Sequence, residues 1–299
     1  MRPISSRSAV SLFLFLCLAG VAVAQTEEAK KQFNSALELS KMKGSEKAAI
    51  DVYEGILKLD PAYYDVYINV GALYFKIEDF AKAEESFKKA VELKPTDTAA
   101  LSNLGATYEK LRKFPIAEQT FLAAVKAEPK YLTGYRELGF LNYKQGKFKE
   151  CAENLDKFTA GFPDDAVALT RKAQALQKDN NTAKAIEALN AAVTVKPSHA
   201  EAYRVLGQIY LGQEGYEMAI AAFQSATKHD AGDYRSWYNL AVAQESKFPD
   251  DLAANLAAWE HALKAARKSP KGKDLAIQAE QRLAELKKLK SAGGATGGG

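Results

Sequence analysis

The sequence predicts an all-α solenoid of antiparallel helix pairs, closed by a capping helix near its C-terminal end. Three observations carry this. Prolines stand at 61, 95, 129, 163 and 197, each 34 residues from the next. Between them, large and small residues recur at fixed places on the same beat. The chain is also 47% hydrophobic, with dense but balanced charge, 41 Lys and Arg against 37 Asp and Glu, so a long packed core is within reach.

Residues 1–24 read as a secretory signal. Arg2 and Arg7 precede an apolar run over residues 12–21, and Ala22-Val23-Ala24 supplies an A-x-A cleavage site before Gln25. The unbroken apolar stretch, 12–23, falls short of the roughly 20 residues a spanning helix needs, which leaves a retained anchor as the weaker alternative. Cys17 follows bulky Phe15 and Leu16, which argues against a lipid attachment site. Cleavage after Ala24 removes two arginines and no acid, so the net charge falls from +4 to +2. The mature chain is then expected in the periplasm or outside the cell, without a stable membrane span. It keeps one cysteine, Cys151, which excludes an internal disulfide and stands where other blocks carry alanine, as a small buried hydrophobe. No basic block of the kind that tracks nucleic acid occurs.

The array itself is placed over residues 25–273, in 34-residue blocks starting near 30, 64, 98, 132, 166, 200 and 234. Position 4 of each block reads Phe33, Tyr67, Leu101, Tyr135, Leu169, Tyr203, Trp237. Position 8 reads Leu37, Gly71, Gly105, Gly139, Ala173, Gly207, Ala241. Large residues at 4, 7 and 11 with a small one at 8 lie on one stripe of a helix. A glycine there costs about 1 kcal/mol of helix propensity, so a second helix must approach closely. That helix follows a short turn and carries Ala-x-x-x-Phe, as in Ala83 and Phe87 or Ala117 and Phe121. Proline then ends it. Ala231 replaces one boundary proline, so a continuous or softer turn is expected there. The block at Ala166 departs most, with Lys172 where leucine is usual. In the last block Trp259 takes the place of the second-helix aromatic after a two-residue insertion. Residues 274–290 form an amphipathic capping helix with Ala276, Ala279, Leu283 and Leu286 on one stripe, and 291–299 read as a flexible tail.

These residues resemble the tetratricopeptide repeat, whose aromatic-x-x-Leu-Gly-x-x-Tyr, Ala-x-x-x-Phe and closing proline have this period. The resemblance covers roughly residues 30–269 and implies about seven repeats in a right-handed superhelix that binds partners in a concave groove. It also implies a non-enzymatic protein-interaction scaffold or adaptor, without a cofactor. The alternative is a self-associating structural module of an envelope or secretion assembly.

On the first helices, positions 2, 5, 9 and 12 share an open flank beside the buried stripe. There the sequence offers Arg136, Phe140 and Tyr143, then Thr170, Gln174 and Gln177, then Arg204 and Gln208, then Arg235, with Arg171 at position 6. Arginine and aromatics together suit an acidic or C-terminal carboxylate group of a protein or peptide partner. Some members of the family hold a carboxylate with a set of Lys, Asn and Arg positions. Of these Asn239 matches, Arg204 and Gln208 would substitute, and Asn69 and Asn103 match singly, so a complete clamp is absent.

Catalytic and metal motifs are lacking. His199, His229 and His261 fall at unlike positions, without ligand spacing, and are read as surface or turn residues. FPDD, at 162–165 and 248–251, is read as a helix start with capping carboxylates. Asn180-Asn181-Thr182 is a glycosylation acceptor if the chain is secreted from a eukaryotic cell.

Overall fold

The computed structural model of the protein describes residues 27–295; among these it has fifteen helices and no strand. The signal segment expected at 1–24 lies outside the described residues. The chain divides into two compact units, up to Leu141 and from Asn142 on, with the boundary inside one helix. The first unit holds α1 (27–41), α2 (Glu46–Leu59), α3 (Tyr64–Lys76), α4 (Phe80–Leu93), α5 (Thr98–Lys110), α6 (Phe114–Ala127) and most of α7 (Leu132–Lys144). The second holds the end of α7, then α8 (Phe148–Gly161), α9 (Ala166–Lys178), α10 (Thr182–Val195), α11 (Ala200–Gly212), α12 (Tyr216–His229), α13 (Tyr234–Lys247), α14 (Leu252–Lys268) and α15 (Lys273–Ala295).

Within each unit, helices consecutive in the chain pack as hairpins. In the second unit α9 also touches α11, and α11 touches α13. From α3 on, each odd-numbered helix through α13 opens on the first residue of its 34-residue block. The close approach demanded by position 8 is present. A Cβ on Gly71 would lie 2.8 Å from the Phe87 ring, on Gly105 2.7 Å from Phe121, and on Gly207 2.6 Å from Phe223. All three rings are buried, so each glycine accepts a phenylalanine from the second helix of its own hairpin.

The turn inside each hairpin has its own periodic device. Gly44, Glu78, Arg112, Gly146, Asn180 and Glu214 all have positive φ, between 59° and 86°, and all stand at position 15 of their blocks. Non-glycine side chains occupy this left-handed conformation at four of the six.

Between hairpins the chain breaks sharply, and proline is not required for it. Asp230, before Ala231, has φ −137° and ψ 89°, matching Asp60 before Pro61 at −137° and 91°. Asp60 Oδ1 accepts from the Ala62 amide at 3.0 Å, and Asp230 Oδ1 from the Gly232 amide at 2.9 Å. The position-4 aromatic then ties down the turn. Tyr67 donates its hydroxyl to the Pro61 carbonyl at 3.0 Å, and Trp237 its indole N–H to the Ala231 carbonyl at 3.1 Å. The softer junction expected at Ala231 is therefore a turn like the others, because an Asx hydrogen bond and a clamping aromatic do the work of the ring.

The last hairpin is joined differently from the rest. Phe248 (φ −128°, ψ 67°) has the backbone of Phe162 (φ −127°, ψ 69°), so the second FPDD uses inside a hairpin the turn that the first uses between two. Asp165 caps the Ala168 amide at 2.8 Å and Asp251 the Ala254 amide at 3.0 Å. The two-residue insertion is thus an exchange of one turn type for another. Lys172, the irregular residue of its block, is half-buried and pairs with Asp156 of α8.

α15 packs on α14 and α13 through Ala276, Ala279, Leu283 and Leu286, all buried. Glu245 of α13 anchors it by accepting from Arg282 Nε at 2.8 Å and from the Trp259 indole at 2.7 Å. Burial raises the Glu245 carboxyl, but these two donors outweigh it and hold the group below its ordinary 4.5. The helix runs to Ala295, into the stretch read as a tail; the Ser291 hydroxyl bonds back to the Lys288 carbonyl at 2.8 Å, and residues 296–299 lie outside the described residues.

Candidate functional site

In the second unit the first-helix flank forms one row linked by hydrogen bonds, an ion pair and a cation–π contact. The Arg171 guanidinium lies 4.6 Å from the centre of the Tyr143 ring and donates to Gln174 Oε1 at 2.9 Å. Gln174 Nε2 donates to Glu201 Oε1 at 3.0 Å. Glu201 also faces Arg204 Nη2 at 3.4 Å, and Arg204 Nε reaches Asp233 Oδ2 at 3.3 Å. Asp233 in turn caps α13, accepting from the Arg235 amide at 3.2 Å and the Ser236 hydroxyl at 2.6 Å. The row thus runs from α7 across α9 and α11 to α13.

The charges in this row differ in what they can offer. Arg204 is held between two carboxylates with its side chain only 16% exposed, which makes it a tie between α11 and α13. Arg235 is exposed, its guanidinium 5.5 Å from the Tyr234 ring centre. Gln208 and Asn239, half-buried, stand one turn beyond Arg204 and Arg235. Thr170 does not belong to the open flank. It is buried, and its hydroxyl is satisfied by the Ala166 carbonyl at 2.7 Å, as a short β-branched residue on a helix allows. In the first unit, Arg136 lies 4.7 Å from the Phe140 ring centre and 3.4 Å from Glu137 Oε1.

Groups associated with reactivity are occupied structurally. Cys151 is fully buried, and burial pushes its thiol up to about 12. His229 and His261 stack on Tyr203 and Trp237, the position-4 aromatics of their own hairpins, with ring centres 5.9 and 5.5 Å apart. His199 is half-buried in the turn before α11, where desolvation lowers its pKa. Among the described residues no group of three or more His, Cys, Asp or Glu is placed to hold a metal ion.

Sequence models of the tetratricopeptide repeat match residues 64–97, and, in two overlapping spans, 170–226 and 205–272. The matched spans include the α3–α4 and α11–α12 hairpins, where Gly71 meets Phe87 and Gly207 meets Phe223. The chain is a tetratricopeptide repeat protein. Solved tetratricopeptide repeat structures share its fold. The C-terminal part of one from Cytophaga hutchinsonii is 18% identical, covering 81% of this chain and 98% of that one, at a TM-score of 0.66. One from Parabacteroides merdae is 13% identical over 85% of this chain and 99% of that one, at 0.62. YrrB, described as having an unusual peptide-binding site, is 22% identical over 62% and 98%, at 0.53. No curated protein matches the sequence.

Two members of the row were not among the residues expected from the sequence. Glu201 is three residues before Arg204, a spacing that places both on one helix face. Asp233 is the N-cap of the following first helix, and its capping role was readable, but not its second role as the partner of Arg204.

Proposed function

We propose that this tetratricopeptide repeat protein, a protein-interaction scaffold, holds a segment of a protein partner along the flank of α9, α11 and α13, and that it does so after export to the cell envelope or beyond. The observation that carries the reading is the continuous polar row from Tyr143 to Asp233. It supplies fixed donors and acceptors on successive repeats, so a bound segment meets a preformed surface and little ordering is needed on binding. Gln174 and Gln208, at the same register one repeat apart, suit the amides of a peptide backbone, and exposed Arg235 suits a carboxylate. YrrB, similar in fold, is described with a peptide-binding site, which agrees with such a use. Export rests on the signal-like residues 1–24.

A photo-crosslinking residue introduced at Gln208, and separately at Glu187 on α10, tests this in the native cell. The reading expects a specific adduct from position 208 that disappears when Arg235→Glu is added, and a mature N-terminus at Gln25. An adduct from 187 but not from 208, or one from 208 indifferent to Arg235→Glu, would refute flank binding.

A further inference from the structure

A second surface, on the second helices, has a different chemistry. Between α12 and α14, with α13 as its floor, runs a cleft of about 570 Å³, walled by Leu240, Ala254, Ala257, Ala258 and Trp237. It continues past the Trp237–His261 stack into a smaller pocket of about 160 Å³ bordered by Lys264 and Lys268. Along α14 the two compartments extend from Ala254 to Lys268, about 20 Å at 1.5 Å per residue. That is a length for about six residues of extended chain rather than for a compact ligand.

The Trp237 ring is held from two sides. Its indole N–H is committed to the Ala231 carbonyl, and His261 lies parallel to it, 18° between planes. His261 Nδ1 stands 2.9 Å from the Ala257 carbonyl, an acceptor only, so Nδ1 carries the proton and Nε2 is left for another group. The ring pair is therefore a rigid aromatic wall. The charges bordering it are of one sign. Lys228, Lys264 and Lys268 line the two compartments, no Asp or Glu does, and among the described residues none of the three lysines makes an ion pair. The corresponding groove over α9, between α8 and α10, is unlike it, since it holds Asp156 and Glu187 beside Lys172 and Lys184 and pairs Lys172 with Asp156 internally.

We infer that the α12–α14 cleft binds an acidic extended segment of a partner protein, with one aliphatic or aromatic side chain seated against Trp237 and carboxylates facing Lys228, Lys264 and Lys268. Unpaired lysines around a cleft lined by a rigid aromatic pair and by alanines are complementary to an apolar anchor flanked by negative charge. The cleft does not depend on the flank of α9 and α11, so either surface can fail alone.

The test uses the full chain with 15N-labelled tryptophan and a set of blocked octapeptides. These carry Asp or Glu at the outer positions and Leu, Phe, Trp, Met or Ala at the centre; a matched set carries Lys instead of the acids. The chain has two tryptophans, and Trp259, in the core, is the internal control. Acidic peptides with a large apolar centre are expected to shift the Trp237 indole signal saturably and leave that of Trp259 in place. Lys264→Glu/Lys268→Glu is expected to weaken the interaction at least about tenfold. Ala257→Glu, at an exposed position, is expected to abolish it. The inference is overturned if no acidic peptide moves the Trp237 signal, if the lysine set moves it equally, or if the double charge reversal binds as the native chain does.

Discussion

Gly105→Ala isolates the contact that joins the two helices of a glycine-bearing hairpin. On helix propensity alone the change is favourable by about 1 kcal/mol. Here the new Cβ would stand 2.7, 2.8 and 2.9 Å from three ring atoms of Phe121, whose side chain is fully buried and cannot swing away. Overpacking of this kind costs about 1–3 kcal/mol, so the two terms oppose and the sum is a loss of up to about 2 kcal/mol. Gly55→Ala is the matched control: it lies inside α2, in the same unit, with nothing within 4 Å of the added carbon, and is expected to stabilise by about 0.5–1 kcal/mol. The difference between the two substitutions cancels the propensity term and leaves the packing term. Urea unfolding followed by circular dichroism reads both. Adding Phe121→Leu should remove most of the penalty at 105. If Gly105→Ala and Gly55→Ala move the midpoint equally, the second helix does not need the missing side chain, and the account of the stripe is wrong.

Two further perturbations follow from the turns and the cap. Arg112→Gly, at φ 60°, relieves a left-handed non-glycine residue and should stabilise the fold by about 0.5 kcal/mol after the entropy of the unfolded glycine is set against the relief, read as a raised thermal midpoint. The Glu245 carboxyl has a lowered pKa in the fold, so the stability it lends to α15 is present above its unfolded value of 4.5 and is lost as pH falls through the folded value. The protection of α15 amides, taken relative to the intrinsic exchange rate at each pH, should therefore fall below pH 4.5 in the native chain. In Glu245→Gln that protection should already be lower at neutral pH and show a much smaller acid step; equal acid steps in both would remove Glu245 as the anchor.

Tyr67, Gly71 and Phe87 were legible because a helical stripe is a matter of spacing, and spacing is what a sequence states. The left-handed turn residue was not, since only Gly44 and Gly146 advertise it, while Glu78, Arg112, Asn180 and Glu214 adopt it under the pull of the helices on either side. FPDD was legible as a capped helix start in both copies, but not that its second copy stands inside a hairpin, because the backbone of a turn between hairpins was not expected there. At the flank, Arg204 was read as an available cation. Its partner Asp233 lies 29 residues on, in the cap of the next first helix, and such a pairing exists only once two helices are packed. The α12–α14 cleft was invisible for another reason. Ala254, Ala257 and Ala258 resemble core alanines in the sequence, and only the packing reveals that no neighbour fills the space above them.

The exchange of turn types at Phe248 also bears on how such a chain can lengthen. From Gly44 to Glu214 the left-handed residue keeps its phase, so a block copied or excised within either unit would hand its neighbours the same surfaces they already meet. Beyond Phe248 the phase is lost, α14 is stretched to seventeen residues, and α15 covers the face that a further first helix would need. Growth of the array past α14 is closed off, and its C-terminal boundary is written into one four-residue turn.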